Sequence, residues 1–451
     1  MTAPRSGSTG RPAPREATPG GPAAVASGPG AAHRGGPSGT VRLDAGVLRT
    51  DLPGGTVILS ERMESVRSVA IGFWFRAGTA HEPPGLGGAA HLLEHMVFKG
   101  TRSRSARGIA LEIEAVGGGL DAWTSHEHIT FQARVPEDGL STAVDLLADL
   151  SFRASLSPDD LERERQVVLE EIAGVEESPE DLAFELHADL LFPGHGYGAP
   201  VLGSRESVEG IEAGALAALR DRFLHPAGLV VAAAGRLEHE RLVELVRERL
   251  PDVDGEAVAD VVPPLEIGRG RSRVVRAGGR QVHIVAGGAG PTWTDPLREA
   301  LVVASTALGG GMSSRLFQRI REQLGLAYDV SSWQSFYRGS GAVGAYLATR
   351  PENAARAAAG LEDELARLAA TGLDPEEDEA TRTQLKGQLL LALESPGSRM
   401  RRLAGTVLHS EPWRSLDEVA DRIDAVTTDE IRAACRLFDP AGLAVLELAP
   451  A

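Results

Sequence analysis

In Ala89-Ala90-His91-Leu92-Leu93-Glu94-His95-Met96-Val97, two histidines and a glutamate interrupt an otherwise apolar run. On a helix turning about 100° per residue, His91 and His95 differ by roughly 40° and leave from one face. Glu94 lies roughly 60° to the other side of His91, near enough to address a ligand held between the imidazoles. Neutral imidazoles at i and i+4 suit zinc, and the adjacent carboxylate can serve as base for a water on that metal. A chance scatter of surface His and Glu is the alternative. It conflicts with the apolar neighbours, because three ionisable groups inside such a helix need a common partner.

His91–His95 followed by Met96-Val97-Phe98-Lys99-Gly100-Thr101 resembles the inverted-motif (H-x-x-E-H) zinc peptidases of the pitrilysin type. Within them the likeness is closest to mitochondrial processing peptidase and its bacterial single-chain relatives, and it covers most of residues 41–451. The resemblance implies one Zn2+ per chain, held by His91, His95 and a glutamate 76 residues beyond His95, which is Glu171. Helical phase separately favours Glu171 over Glu170. Ser157 reads as an N-cap, Pro158 fits the first turn, and Asp159 and Asp160 suit the helix dipole. Glu164, Val168, Glu171 and Val175 then form one stripe, expected to face the interior with its acids aimed at the metal. Glu164 would orient the ligands without binding metal, or else serve as an exposed charge partner.

Other residues are carried by the resemblance alone. Arg321 and Tyr328 match a pair that would donate hydrogen bonds to the scissile carbonyl and the developing oxyanion. The alternative is an ordinary helix-end Arg and a half-buried Tyr. Leu120-Asp121-Ala122-Trp123-Thr124 resembles the edge strand on which the family lays an extended substrate. Asp121 stands where the family usually has Asn, so a main-chain contact at Ala122 is the firmer expectation. Phe98 matches an aromatic lining the pocket for the residue after the cut, or is a core residue at a helix end. Asp181 and Glu185, at i and i+4, match acids that read an arginine before the cleavage point. In a chain of net charge −17, exposed acids are also common. His126 and His128, flanking Glu127, read as surface residues of a hairpin.

These residues require a scaffold, and the chain supplies one twice. Val57–Ser60 and Val69–Arg76 read as strands, Ala89–Phe98 and Arg104–Val116 as helices, and Leu120–Thr124 with Ile129–Val135 as a hairpin. Leu140–Leu150 and Pro158–Val175 read as amphipathic helices and Leu229–Ala234 as a strand. A similar order recurs in strand Gln281–Ala286, helix Pro296–Leu308, strand Ala342–Ala348, and helices Ala354–Ala370 and Pro375–Leu393. The punctuation matches: Pro136 and Pro351 stand 215 positions apart, Pro158 and Pro375 stand 217 apart. The expectation is an α+β fold of two similar α/β-sandwich domains from an internal duplication, each a mixed sheet with helices packed on it, enclosing a substrate chamber. The divisions are a Gly/Pro/Ala-rich disordered tail over 1–40, a zinc-binding domain over 41–250, a linker over 251–270, and a metal-free, substrate-supporting domain over 271–451. At the repeat offset, Glu171 falls on Gln388 and Glu164 on Thr381, so the second half lacks the acids.

Composition narrows the function. With 46 Lys and Arg against 63 Asp and Glu in 451 residues, the chain is a poor binder of nucleic acid or anionic membrane. Its single cysteine, Cys435, excludes disulfide frameworks, multi-cysteine zinc sites and iron–sulfur clusters. No apolar run is long enough to span a bilayer, and the first forty residues hold none long enough for a secretory h-region, so a cytoplasmic location is expected. The sequence therefore reads as a zinc-dependent endopeptidase acting on extended peptides or unfolded segments, with Arg preferred near the cut, working as a homodimer or with a related subunit. The alternative is a catalytically silent processing-peptidase-like or respiratory-complex core subunit serving as a peptide-binding scaffold. Such subunits lose a motif residue, and this chain keeps His91, Glu94, His95 and Glu171.

Overall fold

The computed structural model describes residues 39–252, 258 and 265–451. The disordered-tail expectation therefore falls almost wholly outside the described residues, as does most of the expected linker.

Among the described residues, twelve strands run β1 (Thr40–Asp44), β2 (Val47–Asp51), β3 (Val57–Arg62), β4 (Ser68–Phe75), β5 (Gly119–Thr124), β6 (Ile129–Pro136), β7 (Leu229–Gly235), β8 (Gly270–Arg276), β9 (Val282–Gly290), β10 (Ala327–Phe336), β11 (Gly341–Thr349) and β12 (Ala444–Pro450). Helices of the first half are α1 (Ala89–Val97), α2 (Ala106–Ala115), α3 (Leu140–Arg153), α4 (Pro158–Glu177), α5 (Pro179–Leu191), α6 (Arg205–Gly210), α7 (Ala213–Phe223) and α8 (His239–Arg249). Those of the second half are α9 (Arg298–Gly309), α10 (Ala354–Thr371), α11 (Pro375–Ala392), α12 (Pro396–Leu408), α13 (Leu416–Ala425) and α14 (Thr428–Cys435).

The strands make two sheets, ordered β1-β2-β3-β7-β4-β6-β5 and β10-β11-β9-β12-β8. Reversed, the second reads β8-β12-β9-β11-β10, which repeats β3-β7-β4-β6-β5 place for place. Even the pairing sense is kept: β3 with β7 and β8 with β12 are the parallel pairs, and the rest are antiparallel. The α+β duplication expected from the proline spacing is what the fold shows.

Strand periodicity explains how each sheet is covered. Along β4, Val69, Ile71, Phe73 and Phe75 enter the main core of the first half, while Ala70 and Trp74 point to the opposite face. That opposite face is covered from the second half: Met400, Leu403, Ala404 and Val407 of α12 pack on it. The converse also holds. Val285, Leu446 and Leu448 of the second sheet pack against Leu182 and Ala183 of α5, which belongs to the first half in sequence. Pro179 and Pro396, which open these two helices, stand 217 positions apart, as Pro158 and Pro375 do. The duplicated halves thus exchange one helix each. The two main cores stay separate along the chain, while the clusters on the opposite sheet faces draw on both halves.

Candidate active site

Helix α1 starts abruptly. Its N-cap is Gly88 at φ +86°, a left-handed conformation that favours glycine, and a Cβ there would meet Leu202 O at 2.3 Å. Leu92, Leu93, Met96 and Val97 are buried, which turns His91, Glu94 and His95 along the remaining face. Helix α4 packs beside α1. It is capped at Ser157, whose hydroxyl accepts from Asp160 N, and is anchored by Arg165, whose guanidinium donates to the carbonyls of Val208, Glu209 (3.0 Å) and Ile211 (2.8 Å).

The two helices bring His91, His95 and Glu171 together, with one possible ligand atom from each within 4.8 Å of the others. Glu171 Oε2 lies 3.7 Å from His91 Nε2 and 3.6 Å from His95 Nε2. Glu170 is exposed. The stripe expectation needs one adjustment: Glu164 and Val168 are buried, but the Glu171 side chain is 41% exposed. Glu171 sits where the site meets solvent.

Glu164 takes the supporting position. Its Oε2 lies 3.2 Å from His95 Nδ1 and its Oε1 2.7 Å from Lys99 Nζ. With Nδ1 donating to the carboxylate, His95 Nε2 keeps its lone pair facing Glu171. Burial, with His95 beside it, pushes the His91 imidazole down to about 4, so this ring is neutral at neutral pH, the form a metal requires. Burial also pushes the Glu94 carboxyl above its ordinary range, opposed by a hydrogen bond from Thr124 Oγ1 to Glu94 Oε2 of 2.6 Å.

The remaining expected residues distribute as follows. Strand β5 is an edge of its sheet, with Asp121 exposed and accepting from Gln132 Nε2 (2.8 Å). Ala122 is half-buried and packs on the core. Phe98 ends α1 and meets the Phe131 ring edge-on at 6.3 Å, the position of a core-edge aromatic. Arg321 lies in a π-helical turn, Phe317–Gln323, with its guanidinium 5.0 Å over the ring of Tyr328, which is 77% exposed. Among the described residues, neither is hydrogen-bonded or ion-paired to the histidine cluster. Asp181 and Glu185 are on α5, where burial and then the charges of Asp181 and Glu176 push the Glu185 carboxyl up.

The hairpin histidines are half-buried rather than surface residues. His126 Nδ1 is 3.0 Å from Thr79 Oγ1 and its ring meets Tyr337 edge-on. Between them Glu127 accepts from Tyr197 Oη (2.7 Å) and Arg338 N (2.8 Å), tying the β5–β6 turn to the β10–β11 turn. Thr124 and Glu82 were not singled out in the sequence. Glu82 accepts from Gly88 N (3.0 Å) and Ala90 N (2.7 Å) at the start of α1.

The second half offers no equivalent cluster among the described residues. Thr381 is buried with its hydroxyl donating to Glu377 O, and Gln388 is exposed.

Two family models match the chain: insulinase (peptidase family M16) over residues 57–205, and the peptidase M16 inactive domain over residues 210–385. A protein named as an uncharacterised zinc protease of Streptomyces coelicolor is 39% identical over 399 residues, 86% of each chain. One so named from Mycobacterium leprae is 38% identical over 393 residues, 86% of this chain and 88% of that one. One from Bacillus subtilis is 32% identical over 390 residues, 86% of this chain and 95% of that one. Among solved structures, one titled as a peptidase M16 inactive domain from Pseudomonas fluorescens superposes with a TM-score of 0.83 at 20% identity, covering 90% of this chain and 98% of its own. A protease from Helicobacter pylori gives 0.83 at 19% identity, covering 90% and 99%. At that identity the likeness concerns the fold. Among the described residues, no helix is long and apolar enough to cross a membrane.

Proposed function

The chain belongs to peptidase family M16, and from that membership we propose that it is a zinc-dependent endopeptidase acting on extended peptides or unfolded segments. The observation that carries this reading is the convergence of His91 Nε2, His95 Nε2 and a Glu171 carboxylate oxygen. Two imidazoles and one carboxylate are a donor set that suits zinc with a position left open for catalysis. Bound there, zinc would supply Lewis acidity to the carbonyl and make water a better nucleophile at neutral pH.

The chain's own residues do the rest. Glu94, fixed by Thr124, takes a proton from the attacking water at the oxygen that Thr124 leaves free, and returns it to the leaving amine. An extended substrate pairs with the free edge of β5, with Ala122 offering main-chain contacts. Arg321 and Tyr328 donate to the oxyanion; in support, among the described residues neither is consumed by a strong hydrogen bond elsewhere. Asp181 and Glu185 favour an arginine near the cut.

Metal content and peptide cleavage test the reading together. Wild type should carry about one zinc per chain and cleave unstructured peptides, faster with Arg two positions before the cut than with Ala. Glu94→Gln should retain zinc and lose hydrolysis, because only the base is removed. Full activity in that variant would sink the mechanism, and equal cleavage of Arg and Ala peptides would sink the arginine subsite alone.

A further inference from the structure

The two histidines are held by different means. His95 is oriented through its ring, by Glu164 and behind it Lys99. His91 Nδ1 is buried and has no hydrogen-bond partner among the described residues. Among the described residues no hydrogen bond orients the His91 ring from the side away from the cluster, so its direction depends on packing and on the backbone of the first turn of α1.

That turn has no cap of the ordinary kind. Gly88 has no side chain to offer, yet Gly88, Ala89 and Ala90 are all buried and their N–H groups need acceptors. Ala89 N donates to Leu86 O (3.0 Å). The other two donate to Glu82, Gly88 to Oε2 and Ala90 to Oε1. One carboxylate thus bridges the residue before the helix and the residue before His91. The turn is braced behind by the Ser207 hydroxyl, which donates to Gly87 O (2.7 Å).

We propose that Glu82 is the positioning residue for His91: by bridging Gly88 N and Ala90 N, it fixes the direction from which His91 Nε2 enters the metal site. The inference rests on reading His91, His95 and Glu171 as zinc ligands. An anion at a helix N-terminus is favoured by the helix dipole. Burial pushes the Glu82 carboxyl up to about 7, and its bonds to the helix N–H groups, which favour the ionised form, oppose that rise.

The test measures zinc affinity by competition with a chromophoric chelator, for wild type, Glu82→Ala and Glu82→Gln. Denaturant stability of the metal-free proteins and the visible spectrum of their cobalt(II) forms are read alongside. Supporting groups of this kind typically change metal affinity about ten- to a hundredfold. Glu82→Ala should weaken zinc binding to that degree. Glu82→Gln, which keeps one acceptor, should fall between Ala and wild type, and both should alter the cobalt spectrum. Lower stability with unchanged zinc affinity and an unchanged cobalt spectrum overturns the proposal, leaving Glu82 a helix cap alone. If Glu82→Ala does not fold, Glu82→Gln decides by the same criteria. A wild type that binds no zinc overturns the metal-site reading as well, an outcome distinct from normal zinc binding by all three proteins.

Discussion

The hydroxyl of Thr124 does for Glu94 what Glu164 does for His95: it occupies one atom of the side chain and leaves another free for chemistry. A hydrogen bond to a charged group is worth about 1.5–3 kcal/mol. Thr124→Val should therefore lower kcat roughly ten- to a hundredfold, with KM and zinc content near wild type, while Thr124→Ser keeps most of the activity. Steady-state kinetics with metal analysis would check this, and an unchanged kcat in Thr124→Val would remove Thr124 from the site. Glu94 was legible in the sequence and Thr124 was not, for a physical reason. His91, Glu94 and His95 share one helical turn, so their spacing encodes their meeting. Thr124 reaches Glu94 from a strand 30 residues away, and Glu82 caps α1 across a turn of no regular period. His126 and His128 misled in the opposite direction: polar residues at a hairpin turn usually face solvent, but this turn is covered by Tyr197 and by the β10–β11 turn.

At the scale of elements, α4 and α11 are copies of one device put to different use. Arg165 ties α4 to the carbonyls of Val208, Glu209 and Ile211; Arg382, 217 positions on, ties α11 to those of Ile423, Asp424 and Val426. Each set removes a half-buried guanidinium from water in exchange for several charge-assisted bonds, so truncating either should cost stability by about 2–4 kcal/mol. Only α4 carries Glu164 and Glu171. Arg165→Ala should accordingly weaken zinc binding as well as stability, and Arg382→Ala should reduce stability alone. Equal zinc affinity in the two variants would mean that α4 is held in place without Arg165. The repeat was legible because proline and cap residues mark helix starts locally. The exchange of α5 and α12 was not, since an amphipathic helix shows that it must bury a face without showing which sheet receives it. Only the recurrence of the 217-residue spacing at Pro179 and Pro396 hints that these helices are counterparts.

Across the whole molecule, that exchange concentrates buried and half-buried histidines where the halves meet. His187 on α5 donates through Nε2 to Ala444 O of β12 (3.1 Å), and His126 packs on Tyr337. His409, just past α12, stacks on Trp293 at 3.8 Å and lies near His128, Arg338, Arg298 and Arg76. Burial is the first cause that pushes these rings down, His126, His128 and His187 to about 4 and His409 to about 3, and neighbouring cations lower His128 and His409 further. In the unfolded chain each would titrate near 6.5. The unfolded state therefore binds more protons between pH 6.5 and 4, so stability present above that window is lost as pH falls through it. Each fully linked group contributes at most about 1.4 kcal/mol per pH unit. Glu82 acts in the opposite sense, since its carboxyl is pushed up to about 7 and folding takes up its proton as pH falls. Glu94, Glu180 and Glu185, also pushed up by burial, act in the same sense as Glu82, but His91, His239 and His283 are pushed down with the four named above, and seven histidines against four carboxyls leave acid destabilisation the net result. Metal-free protein should accordingly unfold at markedly lower denaturant at pH 5 than at pH 7, chelation removing proton competition at His91 and His95 from the comparison. Amide exchange in α5 and α12, corrected for intrinsic rate, should accelerate before that in the first-half core strands β4 and β7, because protonation is costliest where the halves touch. Equal stability and equal protection at the two pH values would show that these histidines find their protons accommodated in the folded protein, and that the contact between the halves does not depend on their neutrality.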